Sequence, residues 1–255
     1  MALVMKQKVT CVLVHGWAMN SAVWQSLAAE LPDWLDVICV DLPGHGGMSD
    51  VSAQRLEDYT RLLSAVTQKP ALWVGWSLGG LAVQQLARDY PERVAGLFIV
   101  ASTPCFVRRH DWVTAVEASV FDDFARMLEA GVESTMRRFL ALQVMGDKRA
   151  LTTVRELQAA MQSRGFASEA ALQTGLGLLQ QTDLRADLAR LDCPLHWHLG
   201  GRDTLVPVAL VENLKLLNPT IEVSIEADAG HAPFLSHREQ FLRELLDFAG
   251  RIRAN

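Results

Sequence analysis

The residues of this 255-residue chain best placed to do chemistry are Gly75-Trp76-Ser77-Leu78-Gly79. They lie between an apolar run, Ala71-Leu72-Trp73-Val74, and a helix-forming run from Leu78 to Arg88. A serine between two glycines at a strand-to-helix turn is held in strained geometry, with its oxygen clear of the sheet. Small residues at 75, 79 and 80 let strand and helix approach closely, which an ordinary turn would not require. A hydroxyl is a weak nucleophile at neutral pH and needs a base beside it.

Seven histidines are available. His231 follows the apolar run Ile221–Ile225, in Asp228-Ala229-Gly230-His231-Ala232-Pro233-Phe234. A loop after the last strand suits a base. His196 and His198 alternate within a strand pattern and read as structural, while His45 and His237 have no partner motif and His110 lies in a helical stretch. A base needs an acid to fix its tautomer and stabilise its cation. Asp203 stands in the turn Leu199-Gly200-Gly201-Arg202-Asp203. Asp228 is the rival, but a neighbour three residues away on the same loop is badly placed to turn back on the imidazole. The developing oxyanion needs donors. The amide of Leu78 is one; the amide of Trp17, in His15-Gly16-Trp17, is the expected second, with His15 orienting that loop and Asp41-Leu42-Pro43-Gly44-His45-Gly46 supporting it. The chemistry implied by Ser77, Asp203 and His231 is two-step acyl transfer. It requires neutral His231, so activity should fall on acidification.

The elements that must position these residues alternate. Strand patterns occur at Val9–Val14, Val37–Asp41, 71–74, Leu97–Val100, Leu195–Leu199 and Ile221–Ile225. Helical patterns occur at Trp24–Leu31, Leu56–Thr67, from Leu78 through Leu86, Val208–Leu217 and Arg238–Ile252. This predicts an α/β fold with a mostly parallel central sheet covered on both faces. One segment breaks the alternation: from about Pro104 to Arg190 apolar residues recur only at helical spacing. Expected are a core of residues 1–104 and 191–255 and an all-helical cap, 105–190, over the carboxyl ends of the strands, where such sheets place ligands.

Composition narrows the function. Half the residues are hydrophobic and 21% charged, as in a chain with a sizeable core, and the net charge of −5 argues against nucleic-acid binding. The start, Met1 to Lys6, lacks the pattern of a secretory signal, and no apolar run approaches the roughly 18 residues of a membrane span. Cys11, Cys39, Cys105 and Cys193 are far apart and read as free buried thiols of a reducing compartment. The expected protein is cytoplasmic and monomeric, with no cofactor, no metal and no membrane partner.

At this point the chain resembles the α/β-hydrolase family, whose triad follows the chain order Ser77, Asp203, His231. Within it, several stretches together are similar to the pimeloyl-[acyl-carrier protein] methyl ester esterases of biotin synthesis. These are His15-Gly16-Trp17, Trp73 to Leu81, Ala101-Ser102-Thr103-Pro104-Cys105-Phe106, Arg138-Phe139-Leu140-Ala141-Leu142-Gln143 and His231-Ala232-Pro233-Phe234. The resemblance implies a serine carboxylesterase that removes the methyl group from a pimeloyl chain borne on acyl-carrier protein. It implies substrate contacts from Trp17, Leu78, Phe139, Leu140, Ala141, Leu142, Gln143 and His231. Between Arg137 and Arg164 six basic residues stand against two acidic ones, and Arg138, Arg149 and Arg155 would dock the acidic carrier. The family's arginine pattern is only partly matched, since Ser134 and Leu151 stand where arginine is expected. Other readings are a broad esterase for small soluble esters, a carbon–carbon bond hydrolase, and a hydrolase-fold ligand receptor. A dehalogenase would need aspartate in place of Ser77.

Overall fold

The computed structural model describes residues 8–254; residues 1–7, which include the Met1–Lys6 stretch read above for a signal, and Asn255 lie outside the described residues. Six strands form one parallel sheet: β1 (Val9–Val14), β2 (Leu35–Val40), β3 (Ala71–Trp76), β4 (Val94–Val100), β5 (Leu195–Gly200) and β6 (Glu222–Glu226). Their order is β2-β1-β3-β4-β5-β6. Burial follows that order. Every residue of the interior strands β3 and β5 is buried; β3 accordingly reads as an unbroken apolar run, whereas β5 also buries His196 and His198. The edge strand β6, Glu-Val-Ser-Ile-Glu, has no fully buried residue, and its glutamates discourage further pairing.

The helices are α1 (Gln25–Ala28), α2 (Leu56–Ser64), α3 (Leu78–Asp89), α4 (Ala118–Ala130), α5 (Val132–Gln143), α6 (Ala150–Ser163), α7 (Glu169–Gln181), α8 (Arg185–Leu188), α9 (Leu210–Leu217), α10 (Pro233–Ser236) and α11 (Arg238–Ala254). Five of them, α4 to α8, fall between β4 and β5. That stretch contains no strand among the described residues, only two isolated bridges between 107 and 116. The spacing that predicts a helix over Trp24–Leu31 fails locally. The Asn20 side chain accepts from the Ala22 N–H and starts a 3-10 turn at Ser21, which passes into the single turn of α1. Pro32 then bars the residue before it from helical backbone. β4 begins at Val94, three residues before the expected run, because a register shift pairs Val94 with Ala71.

The order of the sheet locates the site. From β1 the chain passes to β2 on one side and then crosses to β3 on the other, so β1 and β3 are neighbours with Val14 paired to Gly75. The loops that follow these two strands diverge at a switch point, where parallel sheets leave a crevice.

Two histidines sit inside β5. Ser224 Oγ lies 2.8 Å from both His196 Nε2 and His198 Nδ1, and Phe98 stacks on His196 with ring centroids 4.6 Å apart. One hydroxyl can donate to one ring and accept from the other, so both stay neutral. Burial lowers the pKa of His198 from 6.5 to about 3, and burial beside His45 does the same to His15. Neutral in the fold but protonatable when unfolded, each group stabilises the fold above about pH 6.5 and loses that contribution as pH falls toward 3. The urea-unfolding free energy should fall by up to about 1.4 kcal/mol per pH unit for each histidine below pH 6.5. A flat stability profile between pH 7 and 5 would show that these rings are not held neutral.

Candidate active site

Ser77 has φ 54° and ψ −116°, a conformation side-chain-bearing residues rarely adopt. Packing imposes it. A Cβ at Gly75 would lie 2.6 Å from the Gly79 carbonyl oxygen, one at Gly79 would lie 2.5 Å from that of His15, and one at Gly80 would lie 2.4 Å from Ser102 Cβ. The Ser77 N–H donates to the Val100 carbonyl at 3.0 Å, and its own carbonyl accepts from Ser102 Oγ at 2.7 Å. The turn is therefore held by β3, β4 and α3 together.

Asp203 and His231 meet after β5 and β6. His231 Nδ1 donates to Asp203 Oδ2 at 2.7 Å, with both side chains at most 1% exposed. The other carboxylate oxygen accepts from the amides of Leu205 (2.8 Å) and Val206 (3.0 Å). Asp228 instead pairs with Lys148 and Arg202 at the surface. The His231 backbone is fixed at both ends. Its N–H donates to the Gln143 carbonyl at 2.8 Å, and its carbonyl accepts from Trp76 Nε1 at 2.7 Å. Trp76 adjoins Ser77, and its ring lies 5.9 Å from the imidazole.

With Nδ1–H given to Asp203, Nε2 carries the free lone pair. It is buried and has no hydrogen-bond partner, Ser77 Oγ included. A serine hydroxyl has three staggered positions, and hydrogen bonds of this kind tighten in the reacting complex. The arrangement thus brings carboxylate and imidazole into contact and leaves Nε2 buried and unpaired.

The loop after β1 lies against that elbow: a Cβ on Gly16 would stand 3.1 Å from Ser77 Cβ. His15 holds this loop, its Nδ1–H donating to the Gly16 carbonyl at 2.8 Å while Nε2 accepts from the Leu42 N–H at 2.9 Å. The amides of Trp17 and Leu78 have no acceptor among the described residues. Leu78 opens α3, so its N–H is one of the donors a helix start leaves unpaired, at the end of the helix dipole that favours negative charge. Asp41 accepts from the amides of Ser21 (2.6 Å) and Gly47 (2.9 Å) and pairs with Arg164 of the insertion.

A narrow apolar cavity of about 30 Å3 opens at Ser77. Trp17, Phe139 and Leu142 line it, and so do Phe121, Phe124 and Leu205. That volume is about one water molecule's worth, so an acyl chain enters only as these side chains part. Of the other residues in the substrate segment, Leu140 and Gln143 are buried outside this lining and Ala141 is exposed. Both polar atoms of the Gln143 amide are buried without a partner. Trp17 also reaches upward: its Nε1–H donates to the Leu172 carbonyl of α7 at 2.8 Å, and a Cβ on Gly175 would collide with its ring at 2.5 Å.

Arg138, Arg149 and Arg155 are exposed on α5, α6 and the turn between them, and form no ion pair among the described residues. Arg137, Lys148 and Arg164 are paired with Glu133, Asp228 and Asp41. Sequence reasoning gave no part to the Ser102 hydroxyl under Ser77, to the Trp76 brace or to the Phe121, Phe124 and Leu205 walls. Phe121 and Phe124 carried a helical periodicity that marks burial but cannot say against what. Among the described residues no cluster of three metal-binding side chains occurs, and no helix is long and apolar enough to cross a membrane.

Comparison with known proteins gives the family. The model of the alpha/beta hydrolase family matches residues 11–244. A pimeloyl-[acyl-carrier protein] methyl ester esterase from Xylella fastidiosa is 42% identical over 240 residues, covering 93% of each chain. One from Photobacterium profundum is 42% identical over 237 residues, again covering 93% of each. Among solved structures, an esterase from Exiguobacterium antarcticum aligns with TM-score 0.83 over 96% of this chain and 92% of its own, at 18% identity. A bromoperoxidase from Bacillus anthracis aligns with TM-score 0.85 over the same shares, at 19% identity. The last two share the fold alone; with the family match over most of its length, this chain belongs to the α/β-hydrolase family.

Proposed function

We propose that the chain is a serine carboxylesterase that hydrolyses the methyl ester of pimeloyl-[acyl-carrier protein], releasing methanol, in biotin synthesis. The likeness at 42% identity over 93% of the chain to enzymes of that name carries the substrate assignment. The buried His231–Asp203 pair beside the strained Ser77 supports the chemistry. Ser77 Oγ attacks the ester carbonyl carbon while His231 Nε2 takes its proton. The oxyanion is stabilised by the Trp17 and Leu78 amides. As the tetrahedral intermediate collapses, His231 gives its proton to the departing methoxide, and methanol leaves. Water then attacks the acyl-enzyme, its proton passing to His231 and on to Ser77 as the acid is released. Asp203 stays ionised and stabilises the imidazolium.

Residues 105–190 act as a cap over the core of 1–104 and 191–255. The methylene chain of the substrate lies along Trp17, Phe139 and Leu142, each buried methylene contributing about 0.8 kcal/mol. The unpaired Arg138, Arg149 and Arg155 steer the acidic carrier and its phosphopantetheine arm to the cap.

Ser77→Ala should lower the hydrolysis rate by roughly four to six orders of magnitude. The wild-type gene, but not this variant, should restore growth without biotin to a strain lacking its pimeloyl ester esterase. Rescue by the alanine variant would end the assignment. Arg138→Ala with Arg155→Ala should slow hydrolysis of the carrier-bound ester roughly tenfold at low salt, with the gap closing as salt rises. The same pair should leave p-nitrophenyl acetate turnover unchanged; equal loss on both substrates would place the arginines in the fold and not in docking.

A further inference from the structure

We propose that Asp147, in the turn between α5 and α6, is a positioning residue for the base. The proposal rests on the reading of His231 as that base. β6 ends at Glu226, and the loop that follows reaches α10 at Pro233 with no strand to hold it. It is gripped from two sides. On one side lies the acid-bearing loop: the Gly201 amide donates to the Glu226 carbonyl at 2.8 Å, and the Arg202 amide to the Ala229 carbonyl at 2.9 Å. On the other side lies the α5–α6 turn, which belongs to the insertion. The His231 amide donates to the Gln143 carbonyl, the Gly230 amide to Asp147 Oδ2 at 3.3 Å, and Lys148 Nζ pairs with Asp228 at 2.6 Å.

The backbone at Gly230 is pinched between the two. A Cβ there would lie 2.7 Å from the Gln143 carbonyl oxygen and 3.6 Å from Asp147 Cβ. From the opposite side, a Cβ on Gly200 would meet the Gly230 carbonyl oxygen at 2.0 Å. Asp147 is buried, and its two oxygens do different things. Oδ1 accepts from the Arg149 amide at 2.7 Å and shapes the turn that opens α6. Oδ2 reaches across to the residue before His231. Each amide meets its own carboxylate oxygen, so an asparagine, which puts an NH2 donor in place of one oxygen, must set a donor against one of the two N–H groups. The inserted helices therefore do more than roof the cavity: one carboxylate fixes the backbone from which the imidazole projects.

The test uses the full chain and p-nitrophenyl acetate, a substrate too small to need the carrier. Asp147→Ser keeps a short acceptor for the Arg149 amide but cannot span to Gly230; Asp147→Asn keeps the shape with one oxygen; Asp147→Ala removes both acceptors. All three should lower kcat by about ten- to a hundredfold with KM nearly constant, as expected for a misplaced catalytic group. All three should also shift or broaden the downfield proton resonance of the His231–Asp203 hydrogen bond, and only the alanine variant should lose much thermal stability. If the serine and asparagine variants keep normal kcat and an unchanged resonance, Asp147 only shapes α6 and the proposal fails. A rise in KM at constant kcat would overturn it too, making the residue part of the cavity wall. His231→Ala in parallel separates the two readings: activity surviving there overturns the base itself, while activity lost there but kept in the Asp147 variants overturns only the positioning role.

Discussion

The hydrogen bond between Asp203 and His231 is the interaction on which the rest depends. Carboxylate and imidazole are both withdrawn from water, and an ion so withdrawn is tolerated only when its lone pairs are occupied. The amides of Leu205 and Val206 occupy two of them and the imidazole N–H a third. The imidazole is left with one bare nitrogen in a dry environment. A buried acceptor without a partner costs on the order of 1–3 kcal/mol. That cost falls on the one nitrogen that the proposed chemistry would use as its proton acceptor.

The surrounding fold concentrates its backbone strain in the same place. Among the described residues three that are not glycine have left-handed backbone: Ala18, Ser77 and Ala101. They follow β1, β3 and β4, three neighbouring strands, at their carboxyl ends. Strain of this kind persists only where the surroundings over-determine it. The parallel sheet supplies that constraint, because each strand end is hydrogen-bonded to its neighbour before the chain turns away.

Much of this is legible in the residues themselves. The alternation of apolar runs and helical stripes marks the parallel sheet, and its break between Pro104 and Arg190 marks where helices α4 to α8 occur, because both are period signals. Gly75, Gly79 and Gly80 announce a close approach, and each would collide within 2.6 Å if it carried a side chain. The start of the first helix was illegible because the Asn20 cap and Pro32 outweigh an apolar stripe. The walls of the cavity were illegible for another reason: Phe121, Phe124 and Leu205 come from segments far apart in sequence, and periodicity says which face is buried but not which face it meets. Asp147 carries no motif at all; its significance lies in a contact with Gly230, 83 residues away.

Trp17 has a wider implication. Its backbone belongs to the loop beside Ser77, while its indole is pegged to the Leu172 carbonyl and seated in the notch left by Gly175. The inserted helices are thus tied to the loop after β1 at the indole and to the loop after β6 at Gly230 and His231. Exchange of helices α4 to α8 for the matching segment of another hydrolase would therefore not be a modular swap. A graft lacking the notch and the carboxylate would lose both ties, so in this architecture the inserted helices and the loops they hold must change together.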